Sequence, residues 1–310
     1  MLTPHRFITG CLDWLTANLD SFELPSQEDD EAAGEAFIEL RRKAFGELAL
    51  AVMLMSRDRA VRATPQFGRM LDYVESRVRA PEYAFNMARR PNLFPFYVTI
   101  LVGLEACGRS FPEQRFMIQR VLDFGLMDRI ERSAWHQLDL RYYLDRGNFR
   151  HRLPGYGSLY RSSSIRELPP IPHLRGIDVY ALTHMLFYMA DFGRRDLRPI
   201  LDGGFERTRE EVALLLGTYV REQDWDMVAE LLICCRCLDH CSHPLFELAW
   251  KGLLGAQRPD GALPLRTFDP ESPELADPEK AERYQFINLY HTTLVGLFAA
   301  VLESQREHDC

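Results

Sequence analysis

The chain of 310 residues is 46% hydrophobic and 11% aromatic, enough apolar side chain for a sizeable core in one large domain or two small ones. Its net charge of −8 at pH 7 and isoelectric point near 5.7 argue against a general binder of nucleic acid or anionic membrane, which needs a basic footprint. Seven cysteines, four of them crowded into 234–241, suit reduced cytosolic thiols better than a disulfide frame. The N-terminus lacks the basic and long apolar regions of a signal peptide, and no apolar run reaches the roughly 18 residues of a membrane span. A cytoplasmic location without a membrane span is expected.

Helical periodicity dominates, and convincing alternating strands are absent. A first helix over 4–19 carries Phe7, Cys11, Trp14, Leu15 and Leu19 on one stripe. An acidic loop over Ser26–Glu31 precedes a long helix over about 33–56, whose second half is apolar nearly all round and therefore buried. Glu47 inside that run is either a paired core charge or a pocket residue. Further helices are expected over 67–79, from Pro95 to Cys107 with Gly108 as its stop, and over 111–124 and 129–145. Helices resume over 177–192, 197–216, 224–238, 244–256 and about 282–302. Nearly all-apolar helices alternate with amphipathic ones. That alternation points to an all-α chain of about 11–12 helices closed into a single (α/α) toroid over 1–310, since a simple bundle would give each helix one polar face.

Between these runs, residues 146–176 hold several glycines and prolines that disfavour a regular helix. Over 141–176 seven arginines, among them Arg152 and Arg161, face only Asp145 and Glu167, with tyrosines 142, 143, 156 and 160 interleaved. A structureless stretch of this length is either a solvated surface loop or a functional segment. As a functional segment it would be a lid or anion clamp, because arginine forks suit carboxylate and phosphate. A second loop, acidic and proline-rich, is expected over 264–281.

Three constellations carry chemistry. On the helix over 177–192, Tyr180, His184, Tyr188 and Asp191 share one face. A lone histidine among apolar residues is usually a core group bonded to a neighbour, but three further polar groups on its face favour a pocket in which it acts as acid or base. On the next inner helix Asp226, Glu230, Cys234, Cys237 and Cys241 recur at helical spacing. Glu230 lies among apolar neighbours, which suits a proton-transfer group or a structural ion pair. The cysteines extend a helix where zinc knuckles prefer turns, so they read as core-filling thiols. Finally, Asp260-Gly261 closes a helix in a tight turn, and His291 stands beside Tyr290 early in an apolar helix. A metal, zinc or iron, held by His184, Asp260 and His291 would be chemically ordinary.

At these last residues the chain resembles the terpenoid-cyclase and protein-prenyltransferase superfamily of (α/α) toroids. Lys251-Gly252, Gln257 and Asp260-Gly261 are similar to the Gln-Trp repeat of squalene and hopene cyclases, with Leu263 in place of the Trp. Tyr290-His291-Thr292 with Leu294, Gly296 and Leu297 is similar to a segment of prenyltransferase β-subunits. In those proteins the His and an Asp of an Asp-Gly-Cys turn bind zinc; here Ala262 replaces the Cys. The Asp-x-Asp-Asp motif of class II cyclases is missing. The stretch Tyr180–Gly193 also resembles an uncharacterised bacterial all-helical family.

Together these features suggest a small-molecule enzyme of specialised metabolism. It would cyclise, isomerise or eliminate within a largely apolar substrate by acid–base or metal-assisted chemistry. His184, Glu230, Asp260 and His291 would carry the chemistry. Tyr180, Tyr188, Asp191, Asp226, Tyr290, Arg152 and Arg161 would bind the substrate, the arginines taking an acidic handle. The alternative is a helical toroid that binds a ligand or a protein partner without catalysis. A polysaccharide lyase would want a groove rich in tryptophan, and four scattered tryptophans do not supply it.

Overall fold

The computed structural model describes residues 4–24, 35–80, 83, 87 and 93–309, so the acidic stretch Ser26–Glu31 lies outside the described residues. Within them the chain is all-α. In chain order the helices are α1 (Pro4–Ala17), α2 (Glu35–Met55), α3 (Arg59–Arg62), α4 (Pro65–Val78), α5 (Phe94–Ala106), α6 (Pro112–Asp123), α7 (Ala134–Arg146), α8 (Tyr156–Arg161), α9 (Gly176–Met189), α10 (Arg198–Leu201), α11 (Phe205–Glu222), α12 (Trp225–Cys237), α13 (Pro244–Ala256) and α14 (Pro278–Asp309). They cluster into two compact units. Unit 1 takes residues 1–114 and 254–310, and unit 2 takes residues 115–253.

In unit 1, α2 packs on α4, α5 and α14, and α1 packs on α14. Contact on several sides is why Ala44, Phe45, Leu48 and the run Ala51–Met55 are all buried, and why α2 needs no polar stripe there. The α2–α5 contact is close: a Cβ on Gly103 would lie 2.9 Å from the Ala49 carbonyl oxygen. Short side-chain bonds set the ends of the helices. Thr64 caps α4 with Pro65 in its first turn. Asp58 accepts from the amides of Ala60 and Val61 and from the Ser304 hydroxyl of α14, which ties α3 to the last helix. Among the described residues one helix segment, Lys280–Gln305, is long and apolar enough to cross a membrane, and 78% of its apolar window is buried within the fold.

The Gln257–Gly261 turn is a clasp in unit 1. The Gln257 amide donates to the carbonyls of Phe7 in α1 (2.9 Å) and of Gly261 (3.0 Å). Gly261 has φ +94°, and a Cβ there would be driven into the Gly10 backbone. Only glycine fits the turn and the approach to α1 together.

In unit 2, α9 is central, packed on α7 on one side and α12 on another, while α11 packs on α12. This two-sided contact explains why α9 is apolar nearly all round and why its remaining polar groups are confined to its contacts. Two expectations need correction. The single helix expected over 197–216 is broken into α10 and α11, because Asp202 and Gly203 take left-handed conformations at φ 45° and 81°. The stretch 146–176 is not wholly irregular: it holds the six-residue α8 and two 3₁₀ turns, with Gly155 entering α8 in an extended conformation. Residues 147–154 are also tied down. Arg141 donates to the carbonyls of Leu153 and Pro154, Arg115 to that of Gly147, and the Gln119 side chain makes a two-way bond with the Arg150 backbone.

The clasp predicts an asymmetry between two glycines. Gly261→Ala should cost about 2–4 kcal/mol of unfolding free energy in chemical denaturation, from positive φ and backbone overlap combined. Gly68→Ala in α4 meets nothing within 4 Å, and should change stability by no more than about 1 kcal/mol, in the stabilising direction.

Candidate functional site

Tyr180, His184 and Tyr188 lie on the face of α9 that meets α7. His184 stacks on Tyr180 with ring centroids 3.8 Å apart, and Trp135 of α7 meets both edge-on at 5.8 and 6.3 Å. One turn on, Tyr188 packs on Tyr142 at 5.0 Å and on Tyr143 at 5.7 Å. His184 Nδ1 lies 3.0 Å from the Tyr180 carbonyl oxygen. A carbonyl only accepts, so this contact places a hydrogen on Nδ1 and fixes the ring plane.

Asp139 sits between these two layers on α7, one turn after Trp135 and one turn before Tyr142 and Tyr143. Its Oδ1 is buried and has no hydrogen-bond partner among the described residues. Burial pushes its carboxyl up to about 7, and the hydrogen bond from the Tyr188 hydroxyl pulls the other way without cancelling it. Tyr188 itself is held well above the usual phenol range, first by burial and then by the charge of Asp139. At the rim, burial and then the Arg132 charge lower the pKa of His136.

Glu230 of α12 reaches Thr183, the residue before His184. It is 2% exposed, and the Thr183 hydroxyl donates to its Oε2 at 2.5 Å while lying 3.3 Å from His184 Nδ1. Asp226 stands one turn earlier on α12 and is half-buried. At the C-terminal end of α9, Asp191 accepts from the Tyr142 hydroxyl at 2.8 Å and faces Arg146 at 3.5 Å. Unit 2 therefore gathers His184 with Glu230, Tyr180, Tyr188 and Asp191.

Asp260, His291 and Tyr290 belong to unit 1. Asp260 is exposed and is held by Arg258 (3.1 Å) and by the Ala262 amide (3.1 Å). His291 Nδ1 pairs with Glu47 Oε2 at 2.8 Å, and the other oxygen of Glu47 faces Lys43 at 3.6 Å. Tyr290 is buried against Phe286 and Phe22. A cleft of about 590 Å³ opens beside the clasp, lined by Arg6, Thr9, Asp13, Gln257, Arg258 and Asp260. Most of its polar groups are already joined: Arg258 to Asp260, Asp13 to Gln66, and Gln257 to Phe7.

The zinc site that the prenyltransferase resemblance implies does not fit these residues. Asp260 is committed to its own turn and to Arg258, and Ala262 offers no donor. Among the described residues no group of three or more His, Cys, Asp and Glu side chains is placed to hold a metal. The cysteines over 234–237 fill core space. Burial pushes the thiols of Cys234 and Cys237 up and that of Cys235 up to about 12, so they keep their protons. Cys241 lies past the end of α12, beyond a left-handed Asp239, and not on the helix as expected.

The arginines of the basic stretch are largely spent on neighbours. Arg141 and His151 bracket Asp145, Arg146 faces Asp191, and Arg150 faces Asp123. Arg152 is exposed and 3.7 Å from Asp128, and Arg161 is exposed on α8. For Asp145 burial works upward, but the His151 hydrogen bond and the Arg141 charge outweigh it and hold the carboxyl below its ordinary range.

Asp139 is the residue that the sequence reading missed. Its signal was present: a carboxylate flanked by Leu138 and Leu140, on one helix face with Trp135 and Tyr142.

A raised carboxyl has a signed consequence for stability. The folded Asp139 keeps its proton to about pH 7, and an unfolded aspartate to about pH 4. The folded state therefore binds more protons within that window, and stability falls as pH rises through it. Asp139→Asn removes the effect. Relative to wild type, the variant should gain about 2 kcal/mol between pH 5 and pH 8 in urea denaturation. An equal difference at the two pH values would contradict the burial of this carboxyl.

No curated protein and no solved structure matches the chain. The likeness to cyclases and prenyltransferases thus rests on the partial motifs at 251–263 and 290–297 alone. One sequence family matches residues 8–301, that described as "Domain of unknown function (DUF6895)". That match spans nearly the whole length, and the chain belongs to this family.

Proposed function

We propose that the protein acts on a largely apolar small molecule by acid–base chemistry, at the face of unit 2 where α7 meets α9. The observation that carries this reading is Asp139: a carboxyl with a buried, unpartnered oxygen, raised to about 7, among aromatic rings. A group that titrates near the working pH can both give and take a proton, which an ordinary surface aspartate cannot do efficiently. In this reading Asp139 exchanges a proton with the substrate, and the Tyr188 hydroxyl steadies its charged form. His184, oriented through Tyr180 and Thr183, serves as the second proton carrier. Glu230, bonded to Thr183, orients the histidine from the α12 side. Trp135 and Tyr180 offer ring faces to the apolar body of the substrate.

Isomerisation, cyclisation or elimination fits such a pair, since each needs a proton given at one atom and taken from another. The (α/α) toroid and the cytoplasmic setting belong to the same proposal. They are supported by the alternation of apolar and amphipathic helices and by the reduced cysteines. A site joining His184 to Asp260 and His291 is not part of it, because the latter two are engaged within unit 1. A second reading, ligand binding without turnover, is favoured by the ring-on-ring packing of Trp135, His136, Tyr180 and His184, which would serve as a rigid aromatic platform.

Incubation of the purified protein with a metabolite extract of its host, followed by mass spectrometry, tests the reading. A small molecule should be converted to an isomer or elimination product by wild type. That conversion should drop by about 100-fold or more in Asp139→Asn. A ligand that is bound and returned unchanged by both proteins would favour the platform. Conversion at the wild-type rate by the variant would remove Asp139 from the chemistry.

A further inference from the structure

One face of α11 is left open by its own unit. Arg207, Glu210, Leu214, Gly217 and Arg221 recur at alternating steps of three and four, the spacing that keeps residues on one seam of a helix. The buried Thr208, Val212, Leu215 and Leu216 lie on the far side, and α11 packs on α12. On the open seam Leu214 is 60% exposed. Beside it, Gly217 meets α13: a Cβ there would lie 3.0 Å from Leu245 Cδ1. One turn on from Leu245, Leu248 is 51% exposed. Two adjoining helices therefore each present a leucine to water around the same contact, and apolar surface gathered in this way marks an interaction face.

The charges on the seam say what fits it. Glu210 is exposed one turn before Leu214, and Arg221 is exposed one turn after Gly217. Neither forms an ion pair among the described residues, whereas Arg207 and Arg209 of the same helix are matched by Glu211 and Glu206. Eleven residues separate Glu210 from Arg221, about 16 Å along the axis, so the two do not meet within α11. A second α11 laid antiparallel changes that. With Leu214 opposite Gly217 of the second copy, Glu210 stands opposite Arg221 of the second copy, and the two-fold axis repeats both contacts. The leucine then faces the one seam position that has no side chain, which lets the helices approach closely. Other arrangements set like charges together. Parallel pairing opposes Glu210 to Glu210 and Arg221 to Arg221, and antiparallel pairing with Leu214 on Leu214 brings Arg207 onto Arg221.

We propose that this seam of α11, flanked by Leu248 of α13, is a self-association surface whose occupant is α11 of a second copy of the chain. The two helices run antiparallel, registered by Leu214 on Gly217 and by two Glu210–Arg221 pairs. Removal of the leucines from water drives the association, while the charge pairs select orientation and register more than they add affinity. The seam uses none of the residues of the acid–base site, so the two readings stand or fall separately.

The test is sedimentation velocity of the full chain over a concentration series reaching about 100 μM, with circular dichroism confirming that each variant is folded. Wild type should sediment as a dimer at the upper end. Leu214→Ser should raise the dissociation constant about tenfold or more. Glu210→Arg and Arg221→Glu each set like charges across the axis, and each should weaken the dimer by a similar factor. The combined variant Glu210→Arg/Arg221→Glu pairs the charges again and should return to wild-type association. All of these positions are exposed, so the variants test the contact and not the core. Wild type that stays monomeric at about 100 μM overturns the inference. So does a dimer indifferent to Leu214→Ser and to both single reversals, since another surface would then hold it. A combined variant no tighter than the single reversals would reject the antiparallel register.

Discussion

The Asp139 carboxyl lies on α7 beside the packed face of α9, its Oδ1 buried and without a hydrogen-bond partner among the described residues. The packing has two effects on the carboxyl. It strips away water, which favours the neutral form, and it supplies one phenolic hydrogen, which favours the charged form. The first effect wins, and the group is left near neutrality. Had α9 been an ordinary amphipathic helix with one solvated side, the carboxyl would face water and titrate like any surface aspartate. The two-sided burial of α9, against α7 and α12, is therefore what withdraws this carboxyl from water.

The acidic groups of the chain are not all matched alike. In unit 1 the carboxylate of Glu47 is matched twice, by His291 at 2.8 Å and by Lys43 at 3.6 Å, and Asp58 is matched by two amides and a hydroxyl. Such pairs satisfy the rule that buried charge is tolerated when compensated. In unit 2 Asp139 keeps an oxygen without a partner. An unmet acceptor in a packed interior costs roughly 1–3 kcal/mol, and fold stability offers no reason to carry that cost. The acid–base role proposed for this carboxyl would offer one.

Much of the architecture was legible in the sequence because burial and helical period leave a direct record. The apolar run over 44–55, the glycine at 261 and the proline at 95 correspond to the buried α2, the clasp and the start of α5. The shared face of Tyr180, His184 and Tyr188 was legible for the same reason, since residues four apart on a helix lie together, whereas Asp191 lies beyond the end of α9 in a left-handed conformation. What could not be read was pairing across helices. Nothing in the spacing says that Glu47 meets His291 from 244 residues away, or that Arg258 lies beside Asp260 as its counter-ion. Those contacts are why Asp260 and His291, attractive as metal ligands in the sequence, are engaged otherwise. The break at 202–204 was missed because the hydrophobic period of 197–216 continues across it. Backbone sign, which periodicity does not record, decides that the chain turns there.

The central claim is that Asp139 is a neutral carboxylic acid under mildly acidic conditions, because its Oδ1 is buried where α7 packs on α9. The infrared difference spectrum between wild type and Asp139→Asn at about pH 6 reads this state directly. A protonated-carboxyl C=O band present in wild type, absent in the variant and fading as pH rises past about 7 is the predicted result. A difference spectrum holding only ionised-carboxylate bands at about pH 6 would contradict the account.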